Sequence, residues 1–108
     1  MGYYHLVGTL TGVVVESAQD LEARMDAVAK ACGFDVRARS FVQFEPVGAT
    51  GVLVLAESHF SAHTFPEDAK VFVDVFCCSA SFDPATCAER VERAFGAAEA
   101  TWETVLRH

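Results

Sequence analysis

The clearest β-strand pattern in this sequence is the run Lys70-Val71-Phe72-Val73-Asp74-Val75-Phe76-Cys77-Cys78. Successive side chains of a strand point to opposite faces, so one face of this strand carries three valines and Cys77. The other face carries two phenylalanines, Asp74 and Cys78. The two faces of the predicted strand therefore differ in chemistry.

Four other segments are rich in β-branched or apolar residues and predict strands: 4–15, 34–44, 51–56 and 101–105. The segment 51–56 is almost wholly apolar, which is typical of a strand covered on both faces. The alternation within 34–44 slips near Ser40, which predicts a β-bulge there. A polar loop rich in histidine is expected after residue 56.

Two helices are predicted from their end signals. Ser17 and Asp20 resemble a capping box, and Gly33 supplies a stop. Asp83 is the expected N-cap of a second helix, with proline at its first position and Gly96 after its end. The order β-α-β-β-β-α-β predicts an α+β fold: a two-layer sandwich with a mainly antiparallel sheet and two helices on one face.

The length and composition predict a single domain, 1–108, with its own core. The chain has 108 residues, of which 52% are hydrophobic, and it carries a formal net charge of −7. That charge would repel nucleic acid and anionic membranes. No apolar run approaches the roughly 20 residues that span a bilayer. With no secretory leader at its start, the chain is expected to be cytoplasmic.

The cysteines are expected to be reduced thiols. Cys32 and Cys87 fall on the apolar stripes of the two predicted helices. Cys77 and Cys78 are adjacent in a strand and cannot readily bridge each other.

A second informative run precedes the strand at 70–78. It reads Glu57-Ser58-His59-Phe60-Ser61-Ala62-His63-Thr64-Phe65-Pro66-Glu67. Together with the strand to Cys78, this run resembles the prokaryotic S-adenosylmethionine decarboxylases, in which a Glu-Ser bond breaks and the serine becomes a pyruvoyl group. The resemblance begins at His5-Leu6-Val7 and reaches Asp83-Pro84, so it covers nearly the whole chain.

The resemblance implies self-cleavage between Glu57 and Ser58. The Ser58 hydroxyl would attack the Glu57 carbonyl, and the resulting ester would undergo β-elimination after loss of the Ser58 α-proton. The products would be a β chain, 1–57, and an α chain, 58–108. The pyruvoyl group made from Ser58 would form a Schiff base with the substrate, so pyridoxal phosphate would not be needed.

Three further positions acquire roles by the same resemblance. His63 matches the processing base, and Thr50 stands where a serine usually supports processing. Cys78 matches the proton donor that reprotonates the substrate α-carbon.

The substrate pocket departs from the family's pattern. Phe65 stands where tryptophan is usual, and Phe44 matches a position that stacks on adenine. The resemblance implies S-adenosylmethionine as the substrate. Some relatives act on ornithine or arginine, and a distal cation of that kind would need a buried carboxylate such as Glu67 or Asp68. A non-catalytic partner subunit is the third alternative.

No metal is expected from the sequence. His59 and His63 are four residues apart, but Pro66 argues against a helix there and two ligands do not close a site. The partners implied by the resemblance are a small-molecule substrate and a second copy of the chain. The family forms homodimers of processed protomers with active sites near the interface, and dimerisation would also bury the second face of the sheet. All three candidate substrates lead into polyamine synthesis.

Overall fold

The computed structural model of the protein describes residues 3–77 and 82–107. Its elements in chain order are β1 Tyr3–Thr11, α1 Ala18–Cys32, β2 Val36–Gln43, β3 Ala49–Leu55, β4 Ser58–Phe65, a short 3-10 helix Pro66–Asp68, β5 Lys70–Cys77, α2 Pro84–Phe95 and β6 Glu99–Arg107. Neither α1 nor α2, the two α-helices of these described ranges, is long and apolar enough to cross a membrane.

The strands form one six-stranded antiparallel sheet in the order β2-β3-β4-β5-β1-β6. Both helices contact the sheet and each other, and a single core lies between the two layers. The largest fully buried side chains of this core are Phe60, Phe95, Leu6, Leu10, Leu21, Met25, Leu53, Val15, Val28, Val71, Val75 and Val91. The predicted two-layer α+β fold is confirmed.

The helix ends follow the sequence signals. The Ser17 hydroxyl accepts a hydrogen bond from the Asp20 backbone N–H at 3.0 Å, and α1 ends at Gly33 in the left-handed conformation with φ 69°. Asp83 is the N-cap of α2, but its carboxylate accepts from the Thr86 hydroxyl at 2.6 Å rather than from the backbone. Helix α2 also ends at a left-handed glycine, Gly96.

The prediction of a histidine-rich loop after residue 56 is wrong, because that segment forms strand β4. Phe60, Ala62 and Thr64 are buried, and they alternate with polar residues on the other face. The sheet therefore has one strand more than the order expected from the sequence. The polar residues of β4 made the segment resemble a loop in the sequence, because only one face of this strand packs on the core.

Two details of the predicted strands are also wrong. The register shift in β2 lies between Val36 and Ala38, not near Ser40. Strand β3 is covered on one face only within this chain, since Leu53 and Leu55 are buried while Val54 is 46% exposed.

The face of the sheet opposite the helices is here called the open face. Cross-strand register places its side chains in three rows: His5, Phe76, His59 and Val54; Val7, Asp74, Ser61 and Val52; Thr9, Phe72, His63 and Thr50. Exposed apolar side chains on this face include Val7, Val54 and Phe72. The open face therefore mixes apolar surface with polar side chains, among them Thr50, His63 and Asp74, whereas Ser58 is not in these rows.

Candidate active site

The Glu57–Ser58 peptide bond lies at a tight hairpin between β3 and β4. Strand β3 ends at Leu55, β4 begins at Ser58, and these two residues pair across the hairpin. The two connecting residues, Ala56 and Glu57, are exposed, whereas Ser58 is half-buried. A bond at this position can be cut without removing a core side chain.

His63 and Thr50 lie together at the other end of the same strand pair. They are directly opposite each other in the ladder, and His63 Nδ1 and the Thr50 hydroxyl are 3.0 Å apart. Either group can donate in this hydrogen bond, depending on the tautomer of the imidazole. The structure thus brings the predicted processing base and its predicted support together.

The structure does not bring His63 to Ser58 of the same chain. The two residues lie at opposite ends of β4. Five residues of strand separate their Cα atoms by about 16 Å, whereas proton transfer needs heavy atoms roughly 3 Å apart. The candidate site is therefore divided between two ends of the sheet.

The Ser58 end of the sheet borders a cavity of about 450 Å³ between the sheet and the helices. Its lining includes Ser58, Cys77, Phe82, Arg90 and both helical cysteines, Cys32 and Cys87. Cys77 is buried on the helix side, which is the face predicted for it. The predicted proton donor, Cys78, lies outside the described residues.

Within residues 3–77 and 82–107 the cysteines are free thiols: Cys32, Cys77 and Cys87. A hydrogen bond with Cys32, together with burial, raises the pKa of the Cys87 thiol far above its usual range. Cys87 therefore stays protonated, and it is a poor nucleophile.

The residues predicted to bind substrate lie at the His63 end. Phe44 directly follows β2, and Phe65 ends β4 two residues beyond His63. Both aromatic side chains are exposed, and Phe65 packs edge-to-face on Phe72 with ring centroids 5.4 Å apart. Glu67 and Asp68 lie in the 3-10 helix and are exposed. The buried carboxylate expected as the partner of an ornithine or arginine cation is thus not provided by these two residues within the chain.

Sequence analysis missed a polar cluster centred on Asp74. His5 Nε2 lies 3.1 Å from Asp74 Oδ2, and His59 Nε2 lies 3.4 Å from Asp74 Oδ1. The Ser61 hydroxyl donates a short hydrogen bond to Asp74 Oδ1. The strand register assembles residues that are distant in sequence, so the only sequence signal was an aspartate among the aromatic residues of one strand face.

The Asp74 carboxylate is stabilised in its charged form. Burial alone would raise its pKa, but hydrogen bonds from Ser61 and His5 and the charges of the neighbouring imidazoles outweigh that effect. The net result is a pKa below the usual value for aspartate.

The fold of this chain is similar to that of a solved decarboxylase structure. The chain superimposes on the crystal structure of the adenosylmethionine decarboxylase from Aquifex aeolicus VF5 with a TM-score of 0.87, at 24% identity, over 96% of this chain and 88% of that one. At this level of identity the match shows a shared fold.

The sequence comparisons identify the family. The family model for S-adenosylmethionine decarboxylase matches residues 4–108. An S-adenosylmethionine decarboxylase proenzyme from Symbiobacterium thermophilum is 41% identical over 95 residues, which cover 85% of this chain and 72% of the relative. A proenzyme of the same name from Clostridium botulinum strain Hall is 38% identical over 84 residues, which cover 75% of this chain and 72% of the relative. The chain belongs to the S-adenosylmethionine decarboxylase family, which confirms the resemblance noted in the sequence.

Proposed function

We propose that this protein is a pyruvoyl-dependent decarboxylase of S-adenosylmethionine that first cleaves its own chain between Glu57 and Ser58. Family membership carries the proposal, since the relatives named above are S-adenosylmethionine decarboxylase proenzymes. A proenzyme is a precursor activated by a later step. The exposed hairpin at Glu57–Ser58 supports cleavage at this bond, because the strands on either side can remain paired after it breaks.

The cleavage reaction needs only groups of the polypeptide and water. The Ser58 Oγ attacks the Glu57 carbonyl carbon, the C–N bond breaks, and an ester replaces the amide. A base then removes the Ser58 α-proton, and elimination expels Glu57 as a free carboxylate. The remaining dehydroalanine hydrolyses to a pyruvoyl group with release of ammonia. The products are chains 1–57 and 58–108.

His63 is proposed as the base that removes the Ser58 α-proton, but it acts on a second copy of the chain. The separation of about 16 Å along β4 supports this proposal, because direct transfer needs heavy atoms roughly 3 Å apart. Two copies that pack their open faces together about a two-fold axis can bring the His63 end of one sheet against the Ser58 end of the other. The exposed apolar side chains of the open face support such packing, which removes them from water.

Thr50 orients the imidazole of His63. Its hydroxyl is the hydrogen-bond partner of Nδ1, so Nε2 is left to point away from the Thr50 side chain. With Thr50 donating to Nδ1, His63 carries its proton on Nε2. With Thr50 accepting from Nδ1–H, Nε2 is free to take a proton, and this is the tautomer proposed for processing.

The pyruvoyl group made from Ser58 supplies a ketone that captures the substrate α-amine and takes up the electron pair released with carbon dioxide. Cys78 is proposed to return a proton to the α-carbon. No pyridoxal phosphate or metal is needed for this step.

S-adenosylmethionine is favoured over ornithine or arginine by the residues of the His63 end. Phe44 and Phe65 offer exposed aromatic surfaces on which an adenine can stack. Glu67 and Asp68 are exposed to solvent, so neither supplies the buried partner that would select a distal ammonium or guanidinium group. Decarboxylated S-adenosylmethionine would then serve polyamine synthesis in the cytoplasm.

The proposal is tested by release of labelled carbon dioxide from carboxyl-labelled S-adenosylmethionine, ornithine and arginine, each offered separately. We expect release from S-adenosylmethionine alone, and none from any substrate with Ser58→Ala. Release from ornithine or arginine alone would contradict the proposed substrate while leaving the pyruvoyl chemistry in place. No release from any of the three would favour a non-catalytic partner subunit.

A further inference from the structure

We propose that His5, His59 and Asp74 form a binding site for one divalent transition-metal ion, with zinc as the best match, on the open face of the sheet. The three potential ligand atoms all lie within 4.8 Å of one another. This site is separate from the groups that cut the chain, and the decarboxylation chemistry does not require it.

The spacing of the ligand atoms approaches that of a tetrahedral ion. Ligands bound to zinc at about 2.0–2.1 Å stand roughly 3.3 Å apart at the tetrahedral angle. The carboxylate oxygens of Asp74 lie 3.1 Å from His5 Nε2 and 3.4 Å from His59 Nε2. These distances involve different oxygens of Asp74, and the three ligand atoms lie within 4.8 Å of one another, so the side chains must close by up to about 1.5 Å to bind one ion.

The protein backbone holds the three side chains in a fixed arrangement. Asp74 lies on β5, which is hydrogen-bonded on one side to β1, carrying His5, and on the other to β4, carrying His59. Sites built on paired strands are more rigid than sites on loops. The Ser61 hydroxyl bonds the Asp74 carboxylate from outside the triad, which is the usual role of a group that orients a metal ligand.

The donor set selects the class of metal. Two imidazole nitrogens with one carboxylate suit zinc and its neighbours among the divalent transition metals, whereas magnesium and calcium prefer oxygen ligands. Three protein ligands also leave a fourth position of a tetrahedral ion for water. The His5, His59 and Asp74 side chains are 23%, 39% and 32% exposed, so an ion can enter from solvent in a single chain.

The same atoms form hydrogen bonds when no ion is bound. His5 Nε2 can donate to Asp74, whereas a metal bound at Nε2 would require the imidazole proton to be on Nδ1. The three side chains would lie at similar positions with hydrogen bonds alone or with a bound metal. Only the metal content differs clearly between the two cases. The test must therefore measure bound metal directly.

The experiment uses untagged full-length protein carrying Ser58→Ala, so that uncut chains are compared and the result does not depend on self-cleavage. The protein is refolded with zinc, dialysed against metal-free buffer, and its zinc content is measured by elemental mass spectrometry. Refolding with the metal allows loading even where a second copy covers the open face. Asp74→Asn and His59→Gln, each added to this chain, remove one ligand.

Glu103→Gln is the matched control. Glu103 lies on β6 opposite Val7, in the same cross-strand row as Asp74. It is two strands from Asp74, or about 9–10 Å, and its replacement removes the same charge as Asp74→Asn. Thermal unfolding without metal shows whether each variant is folded.

We expect one zinc per chain in the Ser58→Ala parent and in the Glu103→Gln control, and at least a tenfold lower zinc content in Asp74→Asn and in His59→Gln. Added zinc should also raise the melting temperature of the parent but not that of a folded ligand variant, because binding to the native state stabilises it. The proposal is overturned by a parent without stoichiometric zinc, or by equal zinc retention in the parent and both ligand variants.

Discussion

The proposed division of the active site between two copies makes a prediction about mixed dimers. Ser58→Ala removes the residue that becomes the pyruvoyl group, and His63→Ala removes the proposed processing base, so neither variant should yield fragments alone. When the two are co-expressed, a mixed dimer places an intact His63 from one chain opposite an intact Ser58 from the other. That dimer should cleave the His63→Ala chain.

The expected magnitude follows from the geometry and from random pairing. A separation of about 16 Å within one chain, against the roughly 3 Å needed for proton transfer, leaves no contribution from a chain's own His63. At equal expression, about half of the His63→Ala chains pair with a Ser58→Ala chain, so about half of them should be cut. Total activity should reach about a quarter of that of the wild type, because one site in each mixed dimer is complete.

Denaturing intact-mass analysis reads out the result, and the variant masses identify which chain was cut. The control co-expresses His63→Ala with the double variant Ser58→Ala/His63→Ala, which supplies no base and should give no fragments. The reasoning is refuted if the first mixture stays uncut, or if His63→Ala alone is cleaved as fully as the wild type.

Three further predictions concern catalysis, packing and charge. Cys78→Ala should still be cut at Ser58 but lose product formation, which intact mass and carbon dioxide release measure separately; unchanged turnover would exclude Cys78 as the proton donor. Phe95→Ala, at a side chain that is 2% exposed, should lower the free energy of unfolding by about 3–5 kcal/mol in denaturant titrations, and a cost below about 1 kcal/mol would contradict the described core. Because the pKa of Asp74 is lowered on folding, its contribution to stability is present above the ordinary aspartate value of about 3.9 and is lost as the pH falls through the lower folded value. Melting temperature should therefore fall less below about pH 4 in Asp74→Asn than in the wild type, and parallel pH profiles would contradict this assignment.

Local signals predicted the helices because their causes are local. Ser17, Gly33 and Gly96 each act on a backbone group or dihedral angle within a few residues, so their effect is readable from the sequence. Strand β4 was missed because half of its side chains are polar. Which of its side chains are buried depends on the face that the helices cover, and the local sequence does not show this. Its alternation was present, but its composition favoured a loop.

The resemblance proposed which residues form the candidate site, but it did not give their arrangement. The resemblance named Ser58, His63 and Thr50, and the ladder between β3 and β4 explains why the last two meet. That His63 lies far from Ser58 follows from the recognition of β4 as an extended strand, which the sequence analysis lacked. The cluster around Asp74 depends on the pairing of three strands, and no local pattern encodes that register.

The central claim is tested most directly by denaturing intact-mass analysis of freshly purified wild-type protein beside Ser58→Ala. The account predicts two fragments of the wild type, 1–57 and 58–108, with the second beginning in a pyruvoyl group that borohydride reduces. Ser58→Ala should remain one chain. An uncut wild-type chain of 11.7 kDa, together with measurable decarboxylation of S-adenosylmethionine, would contradict the account, because activity would then not depend on the cleaved serine.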